Sequence, residues 1–181
     1  MDNIVTNLVD MCKDRNYENI NVDDNSCCEH SEEFKLLISA QTKEGTNIFA
    51  FRIRKIGINV IRELLTNEEL TGCHLILIYD KDITSFSKKH LKLCTKFTYE
   101  LHCSTYFRIN PTRHELVPDH TKLDETEKEN IVNKFGSTDN LPKILKTDPI
   151  SKWYSFCPGD IIRIKRPTPT GVYMEVYRMV V

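Results

Sequence analysis

Long apolar runs are missing from this 181-residue chain. Nothing approaches the ~18 consecutive apolar residues of a membrane-spanning helix, so no span and no membrane partner are expected. The opening Met1-Asp2-Asn3 lacks the basic-then-apolar pattern of a secretory signal, which predicts an intracellular protein with mostly reduced thiols. An excess of either charge is missing too. With 25 basic and 26 acidic residues the formal charge is −1, so no global field draws the chain to nucleic acid. Any DNA contact must come from a local patch.

Motifs of metal and nucleophile chemistry are equally scarce. The seven cysteines fit no disulfide framework or zinc spacing. Cys27-Cys28-Glu29-His30 is the nearest approach to a ligand cluster, but adjacent thiols do not easily reach one tetrahedral ion, and no metal is expected. Cys73 and Cys94 sit inside apolar patterns and read as small core residues. There is no Gly-x-x-x-x-Gly-Lys phosphate loop, no Gly-x-Ser-x-Gly, and no histidine in a recognisable constellation. No cofactor and no small-molecule substrate follow from the sequence.

What remains is an ordinary globular composition, 40% apolar and 28% charged, enough for one domain or two small ones. In the first half, Ile4, Leu8, Met11 and Cys12 recur at helical spacing and predict a helix over 3–15, ended by Asn16. Phe34–Ala40 and Ile48–Ile53 read as strands joined through a turn at 43–47. Ile58, Ile61, Leu64 and Leu65 make a helical stripe that stops near Asn67. Cys73–Tyr79 is a continuous apolar run too short for a helix and suits a strand buried on both faces. A helix over Thr84–Cys94 and strand-like stretches at Phe97–Tyr99 and Tyr106–Ile109 follow. This order implies an α/β layer with a largely parallel centre.

Asn110-Pro111-Thr112-Arg113 marks a joint, because proline cannot continue a ladder. The expected domains are therefore 1–110 and 111–181. Beyond the joint, Leu116-Val117-Pro118 begins an extended segment. Asp124 with Glu127 is a helix-start signature; the helix should stop at Gly136 and bury Ile131, Val132 and Phe135. Asp148-Pro149 starts a short helix ending near Phe156, with Ile150, Trp153 and Tyr154 on one side. Ile162 and Ile164 alternate with Arg163 and Lys165, giving a strand with one core face and one face wet or held by a partner. A hairpin over Pro167–Gly171 leads into a last strand ending on Met179-Val180-Val181, apolar enough to be tied into the sheet.

The ordered run His114–His120, Leu141-Pro142-Lys143-Ile144, Thr147–Tyr154 and Pro158–Pro167 resembles the assembly domain of the fifth-largest common subunit of eukaryotic RNA polymerases, which has a shorter archaeal counterpart. The first half is similar to that subunit's jaw domain in Met11–Tyr17, Lys55–Ile58, Leu75–Tyr79 and Thr84–Lys88. The archaeal counterpart lacks the jaw, so the resemblance is to the eukaryotic type, in a compact form such as a large DNA virus would encode. It implies an α/β jaw domain with a restriction-endonuclease-like layer and a small α+β two-layer assembly domain. It also implies a non-catalytic polymerase subunit, in the nucleus or in a viral factory or virion. Its partners would be the largest subunit, other polymerase subunits, and downstream duplex DNA held weakly by its backbone. The matching docking residues are His114, Leu116, Pro118, His120, Pro142, Ile144, Asp148, Pro149, Trp153, Tyr154, Arg163, Lys165 and Arg166.

Read from chemistry alone, Asp124 and Asp148 are helix caps and Trp153 is core. Arg163 and Lys165 default to a solvated strand face. Residues 81–113 hold seven Lys or Arg against Asp82 and Glu100. Thr84, Ser85, Ser87, Lys88 and Lys89 at a strand-to-helix junction are the candidates for phosphate contact. Two other classes stand beside this reading. A nuclease would need strand acids for Mg²⁺, and only Asp80-Lys81-Asp82 offers them, as turn residues. A free DNA-binding regulator would bind duplex on its own with a steep salt dependence.

Overall fold

The computed structural model describes residues 3–23, 34–81, 83–168 and 171–181. Two compact units divide the chain, Met1–Ile109 and Asn110–Val181. The Cys27–His30 cluster and Asp82 lie outside the described residues.

The first unit is built on a five-stranded sheet of order β1-β2-β3-β4-β5. Helix α1 (Asn3–Asp14) is followed by β1 (Glu18–Val22), β2 (Phe34–Gln41), β3 (Asn47–Lys55), α2 (Ile58–Thr66), β4 (His74–Lys81), α3 (Ser85–Lys92) and β5 (Thr98–Cys103). β1, β2 and β3 are antiparallel neighbours, whereas β3, β4 and β5 run parallel. The parallel half is required by chain economy, since α2 and α3 each carry the chain back across the sheet. β4 sits between parallel neighbours with both faces covered, so Leu75, Ile76, Leu77 and Ile78 are all fully buried. At about 1.5–3 kcal/mol for each such side chain, this one strand anchors the unit.

The two faces of the sheet have different covers. Phe51, Ile53, Leu75 and Leu77 share a core with Val60, Ile61 and Leu64 of α2 and Leu91 of α3. The opposite face receives α1, whose Ile4, Leu8, Met11 and Cys12 are buried. Asn16 ends α1 in the left-handed region, at φ 57°, a conformation asparagine tolerates better than most residues.

Two elements depart from the sequence expectation. β1 was not anticipated because Glu-Asn-Ile-Asn-Val carries no apolar alternation; it is a polar edge strand, irregular at Asn19 (φ 51°). Tyr106–Ile109 is not a strand, since Ser104–Arg108 winds into a 3-10 turn that drives Phe107 into the core. The turn is tied to α1, where the Asn7 amide donates to the Phe107 carbonyl at 2.8 Å.

The second unit has a four-stranded sheet of order β6-β8-β9-β7. In chain order these are β6 (Asp119–Lys122), α4 (Glu125–Phe135), β7 (Lys143–Ile144), α5 (Pro149–Trp153), β8 (Ile161–Pro167) and β9 (Tyr173–Val180). β6 begins directly after Pro118 and occupies an edge, as a strand following proline should. α4 opens on a complete capping box: the Glu127 N–H donates to Asp124 at 2.8 Å and the Asp124 N–H donates to Glu127 at 3.4 Å. It closes on Gly136 at φ 80°. Asp148 caps α5 by accepting from the Ile150 N–H at 2.8 Å. α5 stops at Trp153, short of Phe156, because Ser155 takes a positive φ of 55° and turns the chain away.

Two further expectations are corrected. α4 buries no residue fully: Ile131 and Val132 pack half-buried against Leu123, Leu141 and Ile161, while Phe135 stays exposed beside Tyr177. The sheet is also apolar on both faces. Ile162 and Ile164 pack with Phe156 and Val180 on one side, and Ile161 lies under α4 on the other. The face of β8 that carries Arg163 is therefore covered by the unit's own helix.

Candidate functional site

In the first unit the chemistry gathers where the parallel strands end. Thr84 caps α3: its hydroxyl oxygen accepts from the Ser87 N–H at 3.2 Å and its O–H donates to Ser87 Oγ at 2.8 Å. Those bonds bury Ser87, which removes it from the set of residues able to meet a phosphate. Thr84, Ser85, Lys88 and Lys89 are exposed. Phe86 is exposed as well, its ring edge-on to His90 at 4.4 Å.

Asp80 at the end of β4 is bonded to Arg52, with Nε at 3.2 Å. Burial raises its pKa, but hydrogen bonds from Ser104 and Arg52 outweigh that and hold the carboxyl below the usual range. β2 and β3 carry no acid at all. Among the described residues no group of His, Cys, Asp and Glu could hold a metal ion. No helix there is long and apolar enough to cross a membrane.

A buried polar cluster was not legible in the sequence. Arg15, just past α1, grips Glu100 of β5 with both terminal guanidinium nitrogens, at 3.1 and 2.9 Å. His74 Nε2 lies 3.1 Å from one oxygen of the same carboxylate and His102 Nε2 lies 2.9 Å from the other. The Arg15 side chain is only 3% exposed. Burial alone would raise the pKa of Glu100; the bonds from His102 and His74 and the charge of Arg15 reverse this and hold it far below the ordinary carboxylate range. At neighbouring Cys12 burial outweighs the charge of Arg15 and pushes the thiol up to about 11. The cluster ties the end of α1 to β4 and β5. Both carboxylate oxygens are spent on neighbours within the unit, so it acts as an internal clamp.

In the second unit the anticipated docking residues separate into two sets. Trp153 has no exposed surface and fills the core, so it is no contact for a partner. Its short helix directs the indole inward, and Ile150 and Ser151 are buried with it. Arg163 is held by Glu127 of α4 at 2.9 Å, within the covered face. Ile144 is half-buried and paired with Val180. Asp148 is spent on its cap, and Tyr154 stacks on Phe156 at 5.3 Å. His120 is half-buried with Nδ1 2.7 Å from the carbonyl of Pro118, itself half-buried; burial lowers the histidine's pKa despite that bond.

His114, Leu116, Pro142, Pro149, Lys165 and Arg166 are exposed, Leu116 at 83%. Beside them the structure exposes apolar side chains that were not anticipated as contacts: Leu145, Val172, Tyr173 (69%) and Met174. Their signal was available, since Val172-Tyr173-Met174 is apolar without alternation at the start of a strand.

The C-terminal unit coincides with a known type of module: residues 109–180 match the family model described as RNA polymerase Rpb5, C-terminal domain. The likeness extends beyond that unit into most of the chain. "DNA-directed RNA polymerase V subunit 5A" of Arabidopsis thaliana is 30% identical over 176 residues, covering 87% of this chain and 78% of that protein. "DNA-directed RNA polymerases I, II, and III subunit RPABC1" of Caenorhabditis elegans is 25% identical over 154 residues, or 82% and 73% of the two chains. "DNA-directed RNA polymerase subunit Rpo5" of Thermococcus onnurineus is 44% identical over 69 residues, which is 38% of this chain and 84% of that one. The chain belongs to the Rpb5 family of DNA-directed RNA polymerase subunits.

Proposed function

We propose that this chain is a structural, non-catalytic subunit of a nuclear multisubunit RNA polymerase, or of the polymerase of a large DNA virus. Its C-terminal unit docks on the largest subunit. Its N-terminal unit forms part of the lower jaw, where the strand-tip surface around Thr84, Ser85, Lys88 and Lys89 meets the backbone of downstream duplex DNA. Other polymerase subunits complete its surroundings.

The observation that carries this reading is a coincidence of boundaries. The residues matching the family's C-terminal domain, 109–180, are nearly the same residues that fold as a separate unit, Asn110–Val181. That unit exposes Leu116, Leu145, Val172, Tyr173 and Met174, more apolar side chains than a small free domain would leave wet. Lys165 and Arg166 border them along the hairpin and suit the polar rim of an interface.

The order α-β-β-β-α-β-α-β in the first unit supports a restriction-endonuclease-like layer emptied of its chemistry. Mg²⁺ catalysis needs strand acids; β2 and β3 offer none, and Asp80 is neutralised by Arg52. Co-purification tests the assignment: a tagged chain expressed in its own cell should bring down the largest polymerase subunits. Capture of no polymerase chain would end it, and plasmid cleavage with Mg²⁺ that is lost on Asp80→Ala would replace it with the nuclease reading.

A further inference from the structure

β9 is eight residues long, yet only one of its sides is paired along that length. It meets β8 in unbroken register from Tyr173 to Met179. On its other side β7 reaches only Met179 and Val180. Among the described residues no further strand lies there, so the stretch Tyr173–Arg178 is an open edge. Bonds at the two ends of β9 fix the direction of its backbone groups. The Thr168 N–H donates to the Val172 carbonyl at 2.8 Å and the Val180 N–H donates to the Asp160 carbonyl at 2.9 Å, so even-numbered residues bond toward β8. The Met179 N–H points the opposite way, to the Pro142 carbonyl at 2.9 Å. Because direction alternates along a strand, the N–H and C=O groups of Tyr173, Glu175 and Tyr177 all face the open edge. β6, at the other edge of the sheet, is blunted by its four-residue length and by Pro118 before it. The β9 edge is longer and carries no proline. Its apolar side chains are also half-covered on both faces. Val176 packs partly buried with Ile162 and Ile164, Tyr177 and Met179 pack partly buried with Leu123 and Ile161 on the opposite face, and Tyr173 and Met174 are exposed.

We infer that an extended segment of the largest polymerase subunit completes this edge, pairing as an added strand with Tyr173, Glu175 and Tyr177. The inference rests on the polymerase-subunit reading and deepens it, since it names main-chain pairing as the mode of attachment. Donors and acceptors that recur at every second residue, roughly 6.6 Å apart, match another extended chain and not a helix, whose own backbone groups are already bonded. The added strand lies about 4.8 Å from β9. Its alternating side chains cover Met174 and Val176 on one face and Tyr173 and Tyr177 on the other, so the segment is apolar on both faces. A second copy of this chain fits less well. Twofold antiparallel pairing that engages all three outward residues sets Glu175 directly opposite its own copy, and like charges in that position are destabilising.

Amide hydrogen exchange at single-residue resolution tests the pairing, on the full chain alone and on the same chain within the purified polymerase. Alone, the amides of Met174, Val176 and Arg178 should be protected by β8, while those of Tyr173, Glu175 and Tyr177 exchange freely. In the polymerase the second set should slow by about tenfold or more. The variant E175P removes one outward N–H and should lower recovery of the largest subunit about tenfold, whereas E175Q keeps that N–H and should assemble like wild type. A photoreactive side chain placed at Met174 should attach to the largest subunit. Unchanged exchange of the three amides inside the polymerase, equal losses for E175P and E175Q, or attachment to a smaller subunit alone would each overturn the inference. If E175P lowers the melting point of the isolated chain, the exchange result decides. Protection that grows with concentration in the isolated chain, together with a dimer in sedimentation, would give the edge to a second copy and overturn it as well. A wild-type chain that brings down no polymerase sinks the underlying assignment instead.

Discussion

The two units solve the problem of a polar side chain near a core in opposite ways. In the first, Arg15, His74 and His102 converge on one carboxylate and the cluster is sealed inside. In the second, the central ion pair between Arg163 and Glu127 is partly open to water, and apolar residues of the β8–β9 hairpin are left outside. The first unit seals its charged cluster inside, with Phe86, Leu93 and Ile109 its large exposed apolar side chains among the described residues. The second leaves Leu116, Leu145, Val172, Tyr173 and Met174 exposed. The difference separates a unit held by an internal polar clamp from one whose hairpin leaves apolar side chains exposed.

Breaking the clamp should have the largest effect on the first unit. Glu100→Gln takes from buried Arg15 the carboxylate that it grips and should cost about 3–5 kcal/mol in denaturant unfolding. The pH dependence has a definite sign. Because Glu100 is depressed in the folded state, its contribution is complete above its unfolded value near 4.3 and is lost as pH falls below it. Wild type should therefore lose stability on acidification below about pH 4.3 more steeply than the Gln variant, by urea denaturation at stepped pH.

Trp153→Ala probes the second unit at similar size. Removing a fully buried indole should cost about 3–5 kcal/mol. Tyr173→Asp with Met174→Asp should instead leave the isolated chain's melting point within a degree or two, about what surface changes cost, while co-purification with the polymerase is lost. If both sets of variants melt alike, the hairpin belongs to the fold and the contrast between the units fails. The smallest effect belongs to the cap: Asp124→Ala should cost about 0.5–2 kcal/mol. Arg163→Glu should also weaken the fold, through Glu127, whereas Lys165→Glu should weaken only assembly.

Local signals were the legible part of the sequence. Asp124 with Glu127, Asp148 with Pro149, and Gly136 placed three helix ends correctly, because each acts on backbone groups within a few residues. The run Leu75–Ile78 announced a strand covered twice, and Asn110-Pro111 stands where the two units divide. What stayed hidden depended on register. Glu100 and His102 share a face of β5, and β4 is aligned with β5 so that His74 sits opposite Thr98. No spacing in the sequence reports that alignment, nor that Arg15 arrives from the end of a helix 85 residues away. Arg163 was misread for the same reason: alternation distinguishes two faces but does not reveal that α4 covers the one with the charge.

The docking claim is tested most directly by cross-linking mass spectrometry on the purified polymerase. Lys143, Lys146 and Lys165 of the C-terminal unit should link to the largest subunit, and the lysines of α3 should be reached far less by that chain. Links from the largest subunit to α3 alone, with the C-terminal lysines left free, would contradict the account.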